Sequence, residues 1–230
     1  MTIQVTILAA GMGTRLGRPF PKPLTQLRDG RSILQQQLDN VHEAFGSDVR
    51  IQIVVGFKLD LIMEAAPSAV FVYNENYDQT NTNKSLLKAL RASHDGPVLW
   101  MNGDVVFDSA ILERLKSYID AGQTVISVNT AAVSDEEVKY TVDADGMVKE
   151  LSKTVVGGLG ESVGINVIAA ADKAALIKRL DECAEQDYFE RGIELAIEHD
   201  GLKVLPVDIS DLFAVEIDFE ADLERANERP

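Results

Sequence analysis

A short glycine-rich segment with two basic residues is the part of this 230-residue sequence that points most directly to chemistry. An apolar run that ends at Leu8 leads into Gly11, Gly13 and Arg15, and Lys22 follows between two prolines. Glycines directly after a strand let backbone N–H groups approach an anion closely. Arg15 and Lys22 supply positive charge for phosphate groups. The segment therefore predicts a binding site for a triphosphate.

Two better-known glycine loops do not fit this segment. The P-loop pattern G-x-x-x-x-G-K-[ST] does not occur in the sequence. The dinucleotide pattern G-x-G-x-x-G begins at Gly11 and Gly13, but Leu16 stands where the third glycine belongs. A capping box of Ser32 and Gln35 starts the next helix about twenty residues after the strand. A loop of that length is typically functional.

The elements around this segment predict an α/β fold with a doubly wound, mainly parallel (Rossmann-like) mixed sheet. Ligands of such sheets bind outside the carboxyl ends of the strands. The glycine segment and Asn102-Gly103-Asp104 both follow predicted strands, so we expect them at one edge of the sheet. The predicted strands are 3–8, 50–55, 69–72, 98–101 and 125–128, and the predicted helices are 32–45, 59–65, 84–92 and 109–120.

The pattern changes after about residue 130, which predicts a C-terminal α+β elaboration that covers the edge of the sheet. We interpret residues 1–230 as a single domain with a core over 1–130 and this elaboration over 131–230. The sequence predicts a hairpin over 138–151, strands at 162–168, 203–207 and 213–217, and helices at 172–185, 188–198 and 219–226.

Composition restricts the class of protein. A net charge of −15 argues against general nucleic-acid binding, which needs a basic face. The single cysteine, Cys183, excludes an internal disulfide and a cysteine-based zinc site. The sequence contains no apolar run of membrane-spanning length and no secretory signal pattern, so we expect a cytoplasmic protein without membrane insertion. It leaves a homodimer open.

The glycine segment and the lysine segment together resemble the signature of the sugar-phosphate nucleotidyltransferase superfamily. These segments read Leu8-Ala9-Ala10-Gly11-Met12-Gly13-Thr14-Arg15-Leu16 and Pro21-Lys22-Pro23-Leu24. Residues 54–57, 74–86 and 102–104 resemble further segments of that superfamily. The branch of the phosphocholine (phosphonate) cytidylyltransferases is similar at Glu137-Val138-Lys139, Leu151-Ser152-Lys153, Glu161 to Gly164, Asp187 to Glu190 and Glu216-Ile217-Asp218.

The resemblance implies a Mg²⁺-dependent nucleotidyltransferase with two substrates. It would move CMP from CTP to a small phosphorylated or phosphono acceptor, such as phosphocholine or 2-aminoethylphosphonate, and release pyrophosphate. The implied catalytic residues are Lys22, Arg15 and Asp104, which act by stabilising charge. The implied metal ligands are Asp104, Asp218 and Glu216.

The resemblance also implies two sets of binding residues. Three of the acceptor residues, Tyr188, Phe189 and Glu190, would form a partial cage for a cationic head group. The nucleotide-binding set is Leu8, Ala9, Ala10, Gly11, Gly13, Thr14, Arg15, Lys22, Asn81, Ser85 and Gly103. The acceptor-binding set is Lys139, Lys153, Glu161, Tyr188, Phe189 and Glu190.

Two other functions fit the same sequence. One is a sugar- or polyol-1-phosphate nucleotidyltransferase that uses UTP, GTP or another triphosphate. The other is a non-catalytic nucleotide-binding module on the same fold. The joint presence of Arg15, Lys22, Asp104 and Asp218 argues against the module. A purely structural role is also open for Asp218 and Glu216, as a solvated strand face or, for Asp218, as the N-cap of the last helix.

Overall fold

The computed structural model describes residues 3–131, 133–134 and 137–228. The strands are β1 (Gln4–Ala9), β2 (Arg50–Val55), β3 (Val70–Tyr73), β4 (Val98–Asn102), β5 (Val105–Phe107), β6 (Thr124–Asn129), β7 (Lys139–Val142), β8 (Val148–Ser152), β9 (Glu161–Ile168), β10 (Val204–Asp208) and β11 (Ala214–Glu216). The helices are α1 (Ile33–Phe45), α2 (Leu59–Ala65), α3 (Thr82–Arg91), α4 (Ser109–Asp120), α5 (Lys173–Glu182), α6 (Phe189–Asp200) and α7 (Glu220–Asn227).

The main sheet has the strand order β10-β6-β9-β4-β1-β2-β3. Strand β9 runs antiparallel to β4 and β6, and the remaining neighbours along this order pair in parallel. The β7–β8 hairpin extends the sheet from β9, while β5 and β11 form a separate antiparallel pair. The predicted α/β fold with a mainly parallel mixed sheet is confirmed.

Two apolar layers enclose the sheet. Val5 and Ile7 of β1 pack in the layer that contains α1, α2 and α4, and Leu8 packs in the layer that contains α3, α5 and α6. Successive side chains of a strand point to opposite faces, so β1 is buried on both sides. This explains why the end of β1, Ile7-Leu8-Ala9, is apolar at consecutive positions, while the polar residues Gln4 and Thr6 are buried as well. Among the described helices, none has the length and apolar character needed to cross a membrane.

The predicted boundary at residue 130 does not separate a complete sheet from an added layer. Strands β9 and β10 come from the second half of the chain, yet β9 lies between β4 and β6 and β10 lies at the sheet edge. Alternation of residues predicts a strand but not its neighbours, because pairing is a long-range property. The short strand β5 was also not predicted; it pairs with β11.

Candidate active site

The glycine segment and the β4–β5 turn meet where β1 and β4 end. These strands pair in parallel, with Leu8 opposite Asn102. The N–H of Gly103 donates to the Leu8 carbonyl at 2.9 Å. A Cβ on Gly103 would lie 2.7 Å from that carbonyl oxygen, so the close approach requires glycine. The predicted meeting of the two motifs at one edge is confirmed.

The segment between β1 and α1 turns Lys22 into a cleft. It contains two short 3₁₀ turns, Thr14–Leu16 and Lys22–Leu24. Gly13 has a left-handed conformation with a φ of 58°, and a Cβ there would approach the Lys22 Cβ to 3.0 Å. Gly13 therefore provides both the turn and the space beside Lys22.

A cluster of two basic and three acidic side chains lies at this edge. The Lys22 ammonium is 2.8 Å from Asp104 Oδ2 and 2.7 Å from Asp218 Oδ1. Arg15 pairs with the other carboxylate oxygen of Asp218. Asp104, Glu216 and Asp218 each offer one oxygen atom, and these three atoms lie within 4.8 Å of one another. The structure thus brings together both predicted cations and all three predicted metal ligands.

The crowding of these carboxylates shifts their protonation. The nearby Asp104 carboxylate, together with burial, raises the pKa of Glu216 well above its ordinary value. Burial lowers the pKa of Lys22, but Asp104 and Asp218 outweigh this effect and raise the pKa overall. Burial opposes ionisation of Asp218, but Lys22 and Arg15 lower its pKa overall. Carboxylate oxygens in this number and proximity fit the ligand chemistry of Mg²⁺.

The backbone on both sides of Asp218 is held by hydrogen bonds to other residues, which leaves the Asp218 carboxylate for the cluster. The N–H of Ile217 donates to the Asp104 carbonyl at 2.9 Å. The Asp222 carboxylate accepts hydrogen bonds from the N–H groups of Asp218 and Phe219, at 3.0 and 2.7 Å, at the start of α7. The N-cap of this helix is Phe219, so the interpretation of Asp218 as its N-cap is wrong.

A cavity of about 990 Å³ extends from the glycine segment to the start of α6. Two predicted nucleotide residues, Ala10 and Ser85, do not line it. The Ala10 carbonyl accepts from the N–H of Phe57 at 3.0 Å, and the Ser85 hydroxyl accepts from Asn74 at 3.1 Å. The other predicted nucleotide residues line the cavity, namely Leu8, Ala9, Gly11, Gly13, Thr14, Arg15, Lys22, Asn81 and Gly103.

Five of the six predicted acceptor residues line the same cavity, and Lys139 does not. Lys139 pairs across the hairpin with Ser152, the last residue of β8, whereas Lys153 lies in the turn that follows and its ammonium lies over the Tyr188 ring. Lys139 is buried against Gly158, where a Cβ would lie 2.7 Å from the Lys139 Cβ. Its role in acceptor binding stays a prediction. The five that line the cavity are Lys153, Glu161, Tyr188, Phe189 and Glu190.

Glu190 is an unpaired acidic group at the acceptor end of the cavity. Its side chain is buried, with the residue 7% exposed. Its Oε2 atom has no hydrogen-bond partner among the described residues. Burial raises the pKa of Glu190 to about 7. Such a carboxylate can take up a positively charged group from a ligand.

The sequence-based site lacked several residues of the cavity wall. Asn102, Ser162 and Gly164 line the cavity as well, and Glu137 lies near them with a pKa raised by burial and by Glu161. A signal for the β9 residues was present. Ser162, Gly164 and Asn166 alternate with apolar residues along β9. Small or polar residues at every second position of an otherwise apolar strand indicate a face that borders a site.

Known proteins share this sequence pattern and fold. The family model of the MobA-like NTP transferase domain matches residues 5–199. A CMP-5'-(3-aminopropyl)phosphonate synthase of Streptomyces rubellomurinus is 29% identical over 248 residues, which cover 99% of this chain and 38% of that protein. The chain therefore spans well under half the length of this relative.

Two solved structures have the same fold across nearly the whole chain. One is the CTP:phosphocholine cytidylyltransferase of Streptococcus pneumoniae, with a TM-score of 0.77, 18% identity and 99% of both chains covered. The other is the inositol-1-phosphate CTP transferase of T. maritima, with a TM-score of 0.78 and 16% identity. That match covers 99% of this chain and 97% of the other.

Proposed function

The chain belongs to the family of the MobA-like NTP transferase domain, and on this premise we propose that it transfers CMP from CTP to a small phosphorylated or phosphono acceptor. One observation carries the proposal. The Lys22 ammonium bridges Asp104 and Asp218 in the cavity between the glycine segment and α6. This cluster places charges of both signs where a triphosphate and a second phosphate would meet.

The glycine segment is the proposed triphosphate site. Backbone N–H groups around Gly11 and Gly13 face a cavity and can approach phosphate oxygens. Lys22 would neutralise charge at the α-phosphate, and Arg15 would bind the β- and γ-phosphates. Both cations are held in place by carboxylates before the substrate binds, so little reorganisation is needed.

The proposed reaction is an in-line displacement at the α-phosphorus. An oxygen of the acceptor phosphate or phosphonate forms a bond to this phosphorus, and the bond to pyrophosphate breaks with its electron pair on the pyrophosphate. The attacking oxygen is already an anion at neutral pH, so no general base is required. The protein therefore contributes by positioning the two substrates and by stabilising charge, with Lys22 as the cation between them.

Asp104, Glu216 and Asp218 would hold Mg²⁺. Three carboxylate oxygens within 4.8 Å of one another repel, and the raised pKa of Glu216 reflects that repulsion. A divalent cation would remove it. When bound, Mg²⁺ neutralises charge on phosphate oxygens.

Two observations support CTP and a cationic acceptor over the alternative of a sugar 1-phosphate. The relative that aligns with 99% of this chain is a synthase of a CMP ester of an aminopropyl phosphonate. The Oε2 atom of Glu190, which has no partner among the described residues, also fits an acceptor with a positive group, and the uncharged sugar of a hexose 1-phosphate lacks such a group. Phosphocholine and 2-aminoethylphosphonate are therefore the leading acceptors.

Pyrophosphate release tests the proposal. CTP, UTP, GTP and ATP are each combined with phosphocholine, 2-aminoethylphosphonate, inositol 1-phosphate and glucose 1-phosphate, with Mg²⁺ present. We expect turnover with CTP and an acceptor that carries an amino or ammonium group. Turnover with the two 1-phosphates alone would establish the alternative. Tight nucleotide binding without turnover for any pair would favour the non-catalytic module.

A further inference from the structure

Three oxygen atoms of residues in the cavity wall are buried and have no hydrogen-bond partner among the described residues. They are Oδ1 of Asn102, Oγ of Ser162 and Oε2 of Glu190. All three residues line the cavity. A buried polar atom without a partner is costly, and native proteins contain few of them. Three at one cavity indicate that a ligand supplies the missing donors.

The pairing of β4 with β9 places two of these atoms close together. In this antiparallel pair, Asn102 lies beside Gly164, where a Cβ would be 2.6 Å from the Asn102 Nδ2 atom. The glycine therefore leaves the space that the Asn102 side chain uses. Ser162 lies two residues before Gly164 on β9 and pairs with Val128 of β6, which packs in the layer of α3, α5 and α6.

Glu190 lines the same cavity from the first turn of α6. It follows Phe189, whose ring packs edge-on against Trp100 with the ring centres 5.7 Å apart. Trp100 and Asn102 are two residues apart on β4 and share a face of the sheet. The start of α6 therefore packs over the face of the sheet to which Asn102 belongs.

The two predicted cage residues differ in exposure. Phe189 is buried against Trp100, whereas Tyr188 is 40% exposed. The Lys153 ammonium lies over the Tyr188 ring, 5.0 Å from its centre, and occupies one of its faces. A quaternary ammonium group has no N–H donors and depends on open aromatic faces for its binding. The cage predicted from the sequence stays a prediction, and in this structure a second cation already lies over one of its rings.

Building on the proposed function, we propose that Asn102, Ser162 and Glu190 bind a primary ammonium group of the acceptor and thereby select against a trimethylammonium group. A primary ammonium has three N–H donors, one for each unpaired oxygen. A trimethylammonium would bury the same oxygens without partners. A site built to hydrogen-bond a group rejects the analogue that lacks its donors far more strongly than an apolar pocket rejects an extra methyl group.

A matched pair of acceptors tests this selection. The kcat/KM values of 2-aminoethylphosphonate and its N,N,N-trimethyl analogue are measured with CTP and Mg²⁺. The two compounds share the phosphonate and the chain length. We expect the primary amine to be favoured at least ~100-fold. Equal values would overturn the inference, and so would a preference for the trimethyl compound.

A pair of serine variants locates the effect. Ser162→Ala is expected to raise the KM for the primary amine about tenfold, as for one lost hydrogen bond to a charged group, and to leave the KM for the trimethyl compound unchanged. The Tm should not fall, because the hydroxyl has no hydrogen-bond partner in the part of the chain that the structure describes. The control is Ser127→Ala.

Ser127 is a matched control because it also carries a buried, unpaired hydroxyl. It lies opposite Val207, which packs in the layer of α1 and α4 on the other face of the sheet. Ser127→Ala should therefore change neither KM. An equal loss in both variants, or a lower Tm for Ser162→Ala with no change in selectivity, would assign the hydroxyl to structure and overturn the inference.

The two proposals fail in different ways. If CTP gives no pyrophosphate with any phosphate or phosphonate acceptor, the proposed function fails. If CTP reacts with both members of the acceptor pair at equal efficiency, the transferase function stands and the ammonium pocket fails.

Discussion

The two halves of the cavity hold their charges in opposite ways. On the nucleotide side, Lys22 and Arg15 are ion-paired with Asp104 and Asp218. On the acceptor side, Glu190 is buried with an unpaired oxygen. Charges held in ion pairs have their positions before the substrate binds. They suit the displacement at the α-phosphorus, which is the same for every acceptor. Unpaired groups are satisfied only by one kind of ligand, so they suit selection.

Removal of divalent metal is expected to cause the largest loss of activity, and it acts on the nucleotide side of the cavity. Excess EDTA should reduce pyrophosphate release at least ~1000-fold, because several kcal/mol of charge stabilisation are lost. Added Mg²⁺ should restore the rate. Asp104→Asn should raise the Mg²⁺ concentration needed for half-maximal rate, whereas the control Asp60→Asn, on α2, should not. Full activity in EDTA would contradict the assignment of the three carboxylates.

Lys22→Ala tests the central cation of the same side. We expect kcat to fall at least ~100-fold, the scale of losing one preorganised charge contact at a transition state. The measurement is single-turnover formation of the CMP product. Lys116→Ala is the control, since Lys116 forms an ion pair with Glu113 on the surface of α4. A rate for Lys22→Ala within a few-fold of that control would remove Lys22 from the chemistry.

The nucleotide side is also the side that the sequence predicts well. Its loop residues form one contiguous motif, and a strand end fixes where that motif lies. Gly13, Lys22 and Gly103 stand where this reasoning expects them, in or beside the cavity. Ser85 does not, because its place in the first turns of α3 directs its hydroxyl to Asn74.

The acceptor side is predicted less well because strand register decides it. Lys139 and Lys153 match one pattern in sequence, but Lys139 is buried within β7, and Lys153 lies just after β8 and lines the cavity. The contribution of Ser162 depends on the insertion of β9 between β4 and β6, which joins segments far apart in the chain. No local signal specifies which strands become neighbours.

Glu190→Gln tests whether the Glu190 carboxylate binds the cationic group of the acceptor. It should raise the KM for 2-aminoethylphosphonate about 10- to 100-fold, because a buried charge pair is lost, and leave the KM for ethylphosphonate nearly unchanged. The pH dependence has a defined sign. Glu190 has a pKa of about 7 in the free protein, so below that pH it is protonated and binds a cation weakly. The ratio of kcat/KM for the two acceptors should therefore rise with pH through about 7.

The phosphonates of the two acceptors titrate differently, because the ammonium group lowers the second pKa of 2-aminoethylphosphonate. Glu190→Gln, measured with the same two acceptors, supplies that baseline, and the ratio in the wild type should rise more steeply with pH than the ratio in this variant. An equal rise in the variant would assign the titration to another group. Glu190 would then not be the ionisable group by which the acceptor side recognises a cation.

The smallest expected effect is on stability, and it reports the cost of leaving Glu190 unpaired. Its pKa is about 7 in the fold against an ordinary value of 4.5, so the folded state binds more protons between these pH values. Its contribution to stability is fully present below pH 4.5 and is lost as pH rises through 7. Glu190→Gln does not titrate, so at pH 8 it should exceed the wild type in free energy of unfolding by up to about 3 kcal/mol.

Urea unfolding at pH 4.5 and pH 8 measures this difference, which should nearly vanish at the lower pH. Glu113→Gln, at an exposed ion pair on α4, should change stability by less than about 1 kcal/mol at either pH. A variant that becomes more stable and yet binds the cationic acceptor more weakly would show that the carboxylate is kept for the ligand and at the expense of the fold. If Glu190→Gln is instead less stable at pH 8, the carboxylate has a partner in the folded protein, and the acceptor side is paired like the nucleotide side.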